Sequence, residues 1–444
     1  MSEAALKHPH DDLDRLLAEA HARYRERNPE SLRLYEAGRE VMPGANTRTV
    51  LHYSPFPVTI ARGDGAMICD VDGHEYNDFL GEYTAGLYGH NNPTIAAAIH
   101  AALDRGVTLG GPSLVEAKLA RLMCDRFPAV ERLRFCNSGT EANLLALSAA
   151  RAFTGRSNVV VVDGSYHGGV LTFAGDSPLN VPMPFHRVVF NETDAAVDAI
   201  HRIGDTLAAV LVEPMVGAGG NIPASPEFLQ GLRDASAQTG ALLIFDEVMT
   251  SRLTARGLHG HYGIRPDLVS FGKYLGGGLT FGAFGGRADI LDRFDPARAD
   301  AWPHAGTFNN NVLTMTAGYT GLAEVYTAAV ADEFFASGNR FRETFAAALA
   351  ELELPVCVTG LGSMMTLHFS RETPRAPRAK SAAVEALLEL VHLDMMERGE
   401  FFARRGMINL SLATRARQME RFVANFREVL AERADLVRQV VARS

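Results

Sequence analysis

Five short apolar segments alternate with longer helical stretches in the middle of the chain. The stretches between them include TEANLLALSAARAFTG and PEFLQGLRDASAQTG, and the apolar segments are RLRFC, NVVVV, AAVLV, ALLIF and LVSFG. Continuous apolar strands that alternate with helices are typical of a parallel sheet whose two faces are both covered. The sequence therefore predicts an α/β domain built on a mainly parallel sheet.

The two ends of the chain follow other patterns. From Asp11 to Glu40 apolar residues recur at helical spacings of three and four. After about Leu313 long helical stretches precede two further strands and a charged final helix that begins at Thr414. These ends predict a second, smaller α+β domain. We place the N-terminal arm and part of the small domain at residues 1–69. The large domain follows at residues 70–315, and the rest of the small domain at residues 316–444.

Composition argues against several classes of protein. The chain of 444 residues is 47% hydrophobic and 21% charged, with a formal net charge of −9, which is ordinary for a globular protein and unfavourable for binding nucleic acid or an anionic membrane. No apolar run is long enough to span a bilayer, and the N-terminus lacks the apolar core of a signal peptide. The four cysteines have no metal-type spacing, which indicates free thiols in a reducing compartment. We therefore expect a cytoplasmic protein with no nucleic-acid or membrane partner.

Small residues follow the first of the five apolar segments. Ligands of a parallel sheet bind at the carboxyl ends of its strands. The segment RLRFC is closely followed by Ser138, Gly139 and Thr140, which we predict to begin a helix. Free backbone N–H groups and the helix dipole make such a start suitable for a phosphate. A purely structural N-cap is the competing interpretation.

The next strand ends carry an aromatic residue and two acids. NVVVVDGSYHGG brings Tyr166 to a glycine-flanked turn, AAVLVEP ends in Glu213, and ALLIFDEV leads into Asp246. Tyr166 is either a core residue or a plate on which another ring stacks. An acid that ends a buried strand binds a metal, partners a buried cation or caps a helix. Because no cluster at ligand spacing accompanies Asp246, we predict no metal site.

The last segment ends at Lys273, the single lysine in LVSFGKYLGGG. A lysine here is either a solvated loop residue or a desolvated amine whose lowered pKa lets it attack a carbonyl. With it, one sheet edge carries a phosphate cradle, an aromatic plate, a buried acid and an amine. Pyridoxal 5′-phosphate (PLP) requires this set, because its aldehyde takes a lysine as a Schiff base and its pyridinium nitrogen needs a carboxylate. We predict PLP as the cofactor.

Longer motifs add a family resemblance over nearly the whole chain. Through NSGTEAN, SYHGG, LVEP, LLIFDEVMTSR, FGKYLGGG and HAGTFNNN the chain resembles the class III, fold type I PLP-dependent aminotransferases. VMPGANTRTV, YNDFLGEYTAGLYGHNNP and GKYLGGGLTFGAFGGR are similar to their glutamate-1-semialdehyde aminomutase-like branch. The resemblance implies a seven-stranded, mainly parallel sheet flanked by helices, a smaller α+β domain, and ping-pong transamination.

The same resemblance implies roles at the cofactor. Lys273 is the Schiff-base lysine and proton shuttle, Asp246 pairs with the pyridine nitrogen, and Tyr166 covers one face of the ring. Val248 closes the other face, and Glu213 orients the polar edge of the ring or a loop. The phosphate is held by Ser138, Gly139 and Thr140.

Thr307 lies outside the five strand ends, in the motif GTFNN. It matches the threonine that, in this family, reaches across to the phosphate of the neighbouring subunit. The resemblance therefore implies an obligate homodimer with two shared active sites.

The segments expected to bind the substrate differ from the aminomutase pattern. Aminomutases typically carry Asn-Ser-Pro-Val-Arg after the MPG turn, whereas this chain has NTRTV with Arg48, and RRGMINLSL supplies Arg405. This pattern resembles the aminotransferases for β-phenylalanine and other aromatic β-amino acids. An arginine binds a carboxylate through its planar fork, and the competing interpretation is a surface ion pair. We assign Arg48, Arg405 and Tyr83 to the substrate site.

We therefore expect an enzyme that moves the amino group of an aromatic β-amino acid to a 2-oxo acid such as 2-oxoglutarate or pyruvate. The alternative on the same scaffold is a glutamate-1-semialdehyde 2,1-aminomutase. A catalytically quiet PLP-binding regulator is disfavoured because no helix-turn-helix or basic extension is present and Lys273 is intact. A nicotinamide enzyme is disfavoured because no G-x-G-x-x-G follows the first strand of the sheet.

Overall fold

The structure, a computed structural model, describes residues 9–443. Residues 1–8 of the predicted N-terminal segment and Ser444 of the C-terminal one lie outside the described residues. The helices are α1 (Pro9–Arg27), α2 (Pro29–Arg39), α3 (Pro93–Leu103), α4 (Glu116–Arg126), α5 (Gly139–Thr154), α6 (Thr193–Ile203), α7 (Pro226–Thr239), α8 (Gly257–Tyr262), α9 (Ala288–Leu291), α10 (Val312–Thr320), α11 (Ala328–Ala350), α12 (Ala382–Glu397), α13 (Ala416–Glu432) and α14 (Ala434–Ala442).

The strands lie in both predicted domains. They are β1 (Ile60–Asp64), β2 (Met67–Asp70), β3 (Glu75–Asp78), β4 (Arg132–Cys136), β5 (Asn158–Val162), β6 (Phe185–Val188), β7 (Leu207–Val212), β8 (Met215–Val216), β9 (Ile222–Pro223), β10 (Leu242–Asp246), β11 (Leu268–Gly272), β12 (Gly282–Gly286), β13 (Val356–Leu361), β14 (Met364–Phe369), β15 (Glu400–Phe401) and β16 (Met407–Asn409).

Two helices predicted as continuous are each divided in the structure. The helix expected from Asp11 to Glu40 is α1 followed by α2, because Pro29 lacks the N–H that would continue α1 and instead occupies the first turn of α2. The final helix expected from Thr414 is α13 followed by α14. Within residues 9–443, no helix combines the length and the apolar character needed to cross a bilayer.

The large sheet positions the candidate site. Within the described residues it has seven strands in the order β4-β12-β11-β10-β7-β5-β6. Strand β12 runs antiparallel to β11 and β4, and the pairings among β11, β10, β7, β5 and β6 are parallel. The predicted α/β fold class is therefore confirmed. Strands β6 and β12 gave no clear sequence signal, because β12 is the glycine-rich GAFGG and β6 is the partly exposed FHRV.

Both faces of this sheet are buried under helices. On one face alternate residues such as Val160, Val210 and Leu243 pack in a cluster with side chains of α6 and α7. On the other face Val161 and Ile244 pack with side chains of α5. This alternation is the two-sided burial that the continuous apolar segments predicted.

The two ends of the chain share a core away from the large sheet. One cluster joins Leu13 and Tyr24 of the first helix to side chains of α12 and α13, such as Leu390 and Phe422. Nearby lie a sheet in the order β13-β14-β16 and another in the order β1-β2-β3-β15. The segments are those expected of a smaller α+β domain. The exact boundaries at residues 69/70 and 315/316 stay predictions.

Candidate active site

Three chemically important side chains lie at the carboxyl ends of neighbouring strands. Asp246 ends β10, Glu213 follows β7 by one residue, and Lys273 follows β11 by one residue. The parallel register pairs Asp246 with Ser270 in β11. The sheet therefore brings the acid and the amine that the sequence singled out to the same edge.

The carboxylate of Asp246 is buried and held by three donors. Its Oδ2 lies 2.8 Å from Nδ1 of His167 and accepts a hydrogen bond of 2.8 Å from Nδ2 of Asn143. Its Oδ1 accepts a hydrogen bond of 3.0 Å from the backbone N–H of Val248. Hydrogen bonds of this kind fix the direction of a carboxylate.

Glu213 forms the second acidic group of the site. Its side chain accepts hydrogen bonds from the backbone N–H groups of Gly217, at 2.8 Å, and Tyr166, at 3.3 Å. Burial raises the pKa of Glu213 to about 7, while the charge of His167 lowers it and that of Asp246 raises it. The loops that follow β5 and β7 are thereby tied together.

Possible metal ligands also meet here, which the sequence did not indicate. Ligand atoms of His167, Glu213 and Asp246 lie within 4.8 Å of one another. The hydrogen bond between His167 and Asp246 accounts for the shortest of these approaches. The absence of a metal from the site stays a prediction.

Lys273 is half-buried at the end of β11. Its Nζ donates a hydrogen bond of 3.0 Å to the backbone oxygen of Tyr83. Burial lowers the pKa of Lys273 to about 8; the charge of Asp246 raises it, and the charges of Arg48 and Arg405 lower it. This environment favours the desolvated amine over the solvated loop lysine.

The start of α5 combines the two interpretations that the sequence left open. Ser138 is a structural N-cap, because its Oγ accepts a hydrogen bond of 3.1 Å from the N–H of Glu141. The neighbouring glycines allow unusually close approach: a Cβ at Gly139 would lie 2.8 Å from both methyl carbons of Val248, and one at Gly168 would lie 2.3 Å from Oγ1 of Thr140. The binding of a phosphate by this segment stays a prediction.

Tyr166 and Val248 were expected on opposite faces of the cofactor ring. The core interpretation of Tyr166 is wrong, because its side chain is 46% exposed. Val248 is half-buried, and its methyl groups fill the space beside Gly139 and Gly272. Neither position conflicts with the predicted roles, which stay predictions.

The predicted substrate residues form one group around Tyr83. The guanidinium carbons of Arg48 and Arg405 lie 5.9 Å and 5.1 Å from the centre of the Tyr83 ring. Arg48 forms an ion pair with Glu82, whereas Nε of Arg405 is buried and has no hydrogen-bond partner among residues 9–443. Because the backbone oxygen of Tyr83 contacts Lys273, both cations stand beside the amine.

Thr307 is exposed, near the start of α5. Two residues further on, the side chain of Asn309 accepts a hydrogen bond of 2.9 Å from Asn137, which precedes the N-cap Ser138. Phe308 is also exposed. The segment thus lies beside the predicted phosphate cradle of its own subunit while Thr307 itself is open to solvent.

Sequence reasoning assigned no role to Asn143, His167 or Glu82. Asn143 lies four residues after Gly139, so it falls one turn further along the same side of α5. A polar amide among the apolar residues of that helix was the available signal. His167 was noticed only as part of SYHGG, and no pattern indicated that Glu82 would meet Arg48.

Fold and site together define an aminotransferase. The chain belongs to the class-III aminotransferase family, whose model matches residues 50–393. A β-phenylalanine transaminase of Variovorax paradoxus is 49% identical over 416 residues, which cover 94% of this chain and 96% of the relative. A solved β-phenylalanine aminotransferase from the same organism matches with a TM-score of 0.93 and 47% identity, covering 95% of this chain and 98% of that one.

An aminomutase relative is more distant. A glutamate-1-semialdehyde 2,1-aminomutase of Geobacillus thermodenitrificans is 37% identical over 401 residues, covering 86% of this chain and 92% of the relative. The predicted family, branch and transaminase class are confirmed. A transaminase takes an amino donor and a 2-oxo acid acceptor.

PLP is the cofactor of this family, as predicted. The residues of the site fit it: the amine of Lys273 lies within electrostatic range of the buried Asp246 carboxylate. A Cβ at Gly139 would crowd Val248, so glycine leaves room beside the helix start. A buried Nε2 of His167, without a partner among residues 9–443, adds a polar atom at the same place.

Proposed function

We propose that this transaminase takes its amino group from an aromatic β-amino acid of the β-phenylalanine type and passes it to a 2-oxo acid such as 2-oxoglutarate or pyruvate. The observation that carries the proposal is a pair of arginines, Arg48 and Arg405. Both lie over the ring of Tyr83, whose backbone oxygen accepts a hydrogen bond from Lys273. The likeness to a β-phenylalanine transaminase supports it.

Bound PLP supplies an aldehyde for the amino group and an electron sink for the carbon that loses its proton. Lys273 would move that proton at the substrate carbon, because with a pKa of about 8 roughly a tenth of its amine is neutral at pH 7, far more than for a lysine with the ordinary pKa of 10.5. Asp246 would pair with the ring nitrogen and favour its protonated form, and His167 with Asn143 keeps the Asp246 carboxylate in place. Tyr166 and Val248 cover the two faces of the ring.

Glu213 and the start of α5 complete the proposed cofactor site. The Glu213 carboxylate fixes the loop that carries Tyr166 through the N–H of that residue. The phosphate is bound by backbone N–H groups at the helix start, with Ser138, Gly139 and Thr140.

At the substrate end, Arg48 binds the carboxylate of the donor while its β-amino group reaches the cofactor. The extra carbon of a β-amino acid moves the carboxylate away from the reacting centre, which suits a cation on the N-terminal loop. Arg405 binds the second carboxylate of a dicarboxylic acceptor. The buried Nε of Arg405, which has no hydrogen-bond partner among residues 9–443, supports this role, because a partly buried cation gains from an anionic partner.

The experiment compares two donors in a single half-reaction. Arg48→Ala should impair the reaction with β-phenylalanine more than that with 1-phenylethylamine, which has no carboxylate. The loss in kcat/KM should correspond to roughly 2–5 kcal/mol, as expected when one partner of a desolvated charge pair is removed. Stopped-flow absorbance of the cofactor measures both rates.

Equal losses for the two donors would contradict the carboxylate role of Arg48. The aminomutase alternative is tested separately. Efficient conversion of glutamate-1-semialdehyde without an added acceptor would favour an isomerase over the proposed transaminase.

The active enzyme is, in this proposal, a homodimer whose two sites each take Thr307 from the neighbouring subunit. Exposed apolar side chains on two linked segments support such a face: Leu109 and Leu114 lie near Gly111, whose oxygen accepts a hydrogen bond from Asn310, and Phe308 lies in the second segment. The cytoplasmic location expected from composition stays a prediction.

Mixing two inactive variants tests the shared site. In a heterodimer of Lys273→Ala and Thr307→Ala subunits both lesions meet in one site, and the other site is wild type. Activity should therefore return on subunit exchange. No recovery despite confirmed exchange would contradict the role of Thr307 in the neighbouring site.

A further inference from the structure

The two arginines of the substrate end differ in their partners. Arg48 is paired with the carboxylate of Glu82, with side chains 41% and 51% exposed respectively. Arg405 lies closer to the Tyr83 ring and forms no ion pair with a carboxylate in the described part of the chain. Arg48 thus already has a carboxylate of the protein as its partner, whereas Arg405 has none among the described residues.

The position of Glu82 is set by an unusual turn. Glu82, Tyr83 and Thr84 have φ angles of 48°, 50° and 81°, in the left-handed region that residues other than glycine rarely adopt. The turn is anchored at two of its residues: Lys273 donates a hydrogen bond to the backbone oxygen of Tyr83, and Arg252 donates one of 2.8 Å to the backbone oxygen of Thr84.

A third contact joins this turn to the loop that carries Arg48. The hydroxyl of Tyr83 donates a hydrogen bond of 2.8 Å to the backbone oxygen of Val50, two residues beyond Arg48. The turn and the loop are therefore fixed relative to each other. The backbone thus places the Glu82 side chain next to Arg48, where the two half-exposed side chains form their ion pair.

We propose that Glu82 is a specificity-determining residue that occupies Arg48 in the absence of substrate and exchanges its place with the carboxylate of the donor. This rests on the proposed function, in which Arg48 binds that carboxylate. Donors without a carboxylate leave the pair intact. Glu82 therefore sets how strongly a carboxylate-bearing donor is favoured over a simple amine.

The exposure of the pair suits exchange. An ion pair between half-exposed side chains contributes little net free energy, because water solvates both charges once they separate. An incoming carboxylate can thus displace Glu82 at small cost. The buried Asp267, which pairs with both Arg233 and Arg287, illustrates the opposite case, since breaking a buried pair leaves an unsolvated charge.

The test measures binding of 3-phenylpropanoate, which has the carboxylate and ring of the donor but no amine, to the PLP-loaded enzyme by calorimetry. Glu82→Gln keeps the shape of the side chain, and removing the competing charge should lower Kd two- to fivefold, equivalent to about 0.4–1 kcal/mol. Glu75→Gln is the matched control, because Glu75 also forms an exposed ion pair, with Arg62, on the surface of β1 and β3. Its Kd should equal that of the wild type.

Arg48→Ala separates the two proposals. It should weaken binding at least tenfold if Arg48 binds the carboxylate, and in its presence Glu82→Gln should add no gain. Unchanged or weaker binding by Glu82→Gln, with Arg48→Ala still impaired, would overturn the exchange while leaving the proposed function intact. A full gain in the Arg48→Ala background would also overturn it. Normal binding by Arg48→Ala would instead refute the carboxylate role in the proposed function.

Discussion

The carboxylates of Asp246 and Glu82 belong to one site but to opposite environments. Asp246 is 5% exposed, ends a central strand and is held by His167, Asn143 and a backbone N–H. Glu82 is half-exposed, lies in a strained turn and has a single side-chain partner, Arg48. The first is fixed before any ligand arrives, whereas the second can change partners.

This difference matches the demands of transamination. The cofactor is the same in every cycle, so its contacts profit from rigid strand ends and buried hydrogen bonds. A donor and an acceptor of different shape bind the same substrate site in turn. Weak, exchangeable partners therefore suit the arginines of that site. Substitutions of cofactor-binding residues should therefore reduce activity more than substitutions of the exposed residues that bind the substrate.

The largest effect is expected for Lys273→Ala. The variant should fold and dimerise, yet lose turnover, because loss of proton transfer alone costs about 10²- to 10⁴-fold and the amine that binds the cofactor is lost as well. Borohydride reduction of the wild-type enzyme followed by peptide mapping should place the pyridoxyl group on Lys273. A label on another lysine would disprove the assignment.

Asp246→Asn should follow in size. A neutral amide cannot hold the pyridinium proton, and breaking a buried charge pair costs about 3–5 kcal/mol, so both turnover and cofactor affinity should fall. Absorbance titration with PLP and steady-state rates measure the two effects. Near-normal turnover would show that another residue contacts the ring nitrogen.

The cofactor end was largely predictable from the sequence. Asp246 and Lys273 directly adjoin apolar segments, and in a parallel sheet strand ends meet at one edge. Asn143 was missed because a helical residue contacts a strand end only through packing of α5 on the sheet. Its position depends on three-dimensional structure that periodicity alone does not specify.

The substrate end was less predictable for a physical reason. Arg48, Tyr83 and Arg405 come from three distant segments and were assigned only by family resemblance. Their meeting depends on the turn at Glu82, whose left-handed backbone contradicts the intrinsic preference of Glu, Tyr and Thr. Contacts with residues distant in the sequence, such as Arg252, stabilise this backbone conformation, and no local sequence pattern predicts such contacts.

Gly139→Ala should give an intermediate effect at the cofactor end. Its Cβ would lie 2.8 Å from both methyl carbons of Val248, and crowding of this kind typically costs about 1–3 kcal/mol. The Kd for PLP should rise accordingly. Gly169→Ala is the control, since nothing lies within 4 Å of its added Cβ. Equal Kd values in the two variants would show that the close approach beside Val248 is not used by the cofactor.

The smallest effect is the pH dependence of the reaction between Lys273 and PLP. Burial lowers the pKa of Lys273 to about 8, so the reactive neutral amine should increase about tenfold between pH 7 and 9 and then level off. The rate at which PLP recombines with the PLP-free enzyme, followed by absorbance, should show this plateau. Reaction of PLP with N-acetyl-lysine methylamide corrects for ionisation of PLP itself. That free amine retains its ordinary pKa, so its rate should still rise above pH 9. If the enzyme's rate also rises steeply beyond pH 9, the amine of Lys273 has the pKa of a solvated lysine. The proposed difference between the environments of the cofactor-binding and substrate-binding residues would then not hold for Lys273.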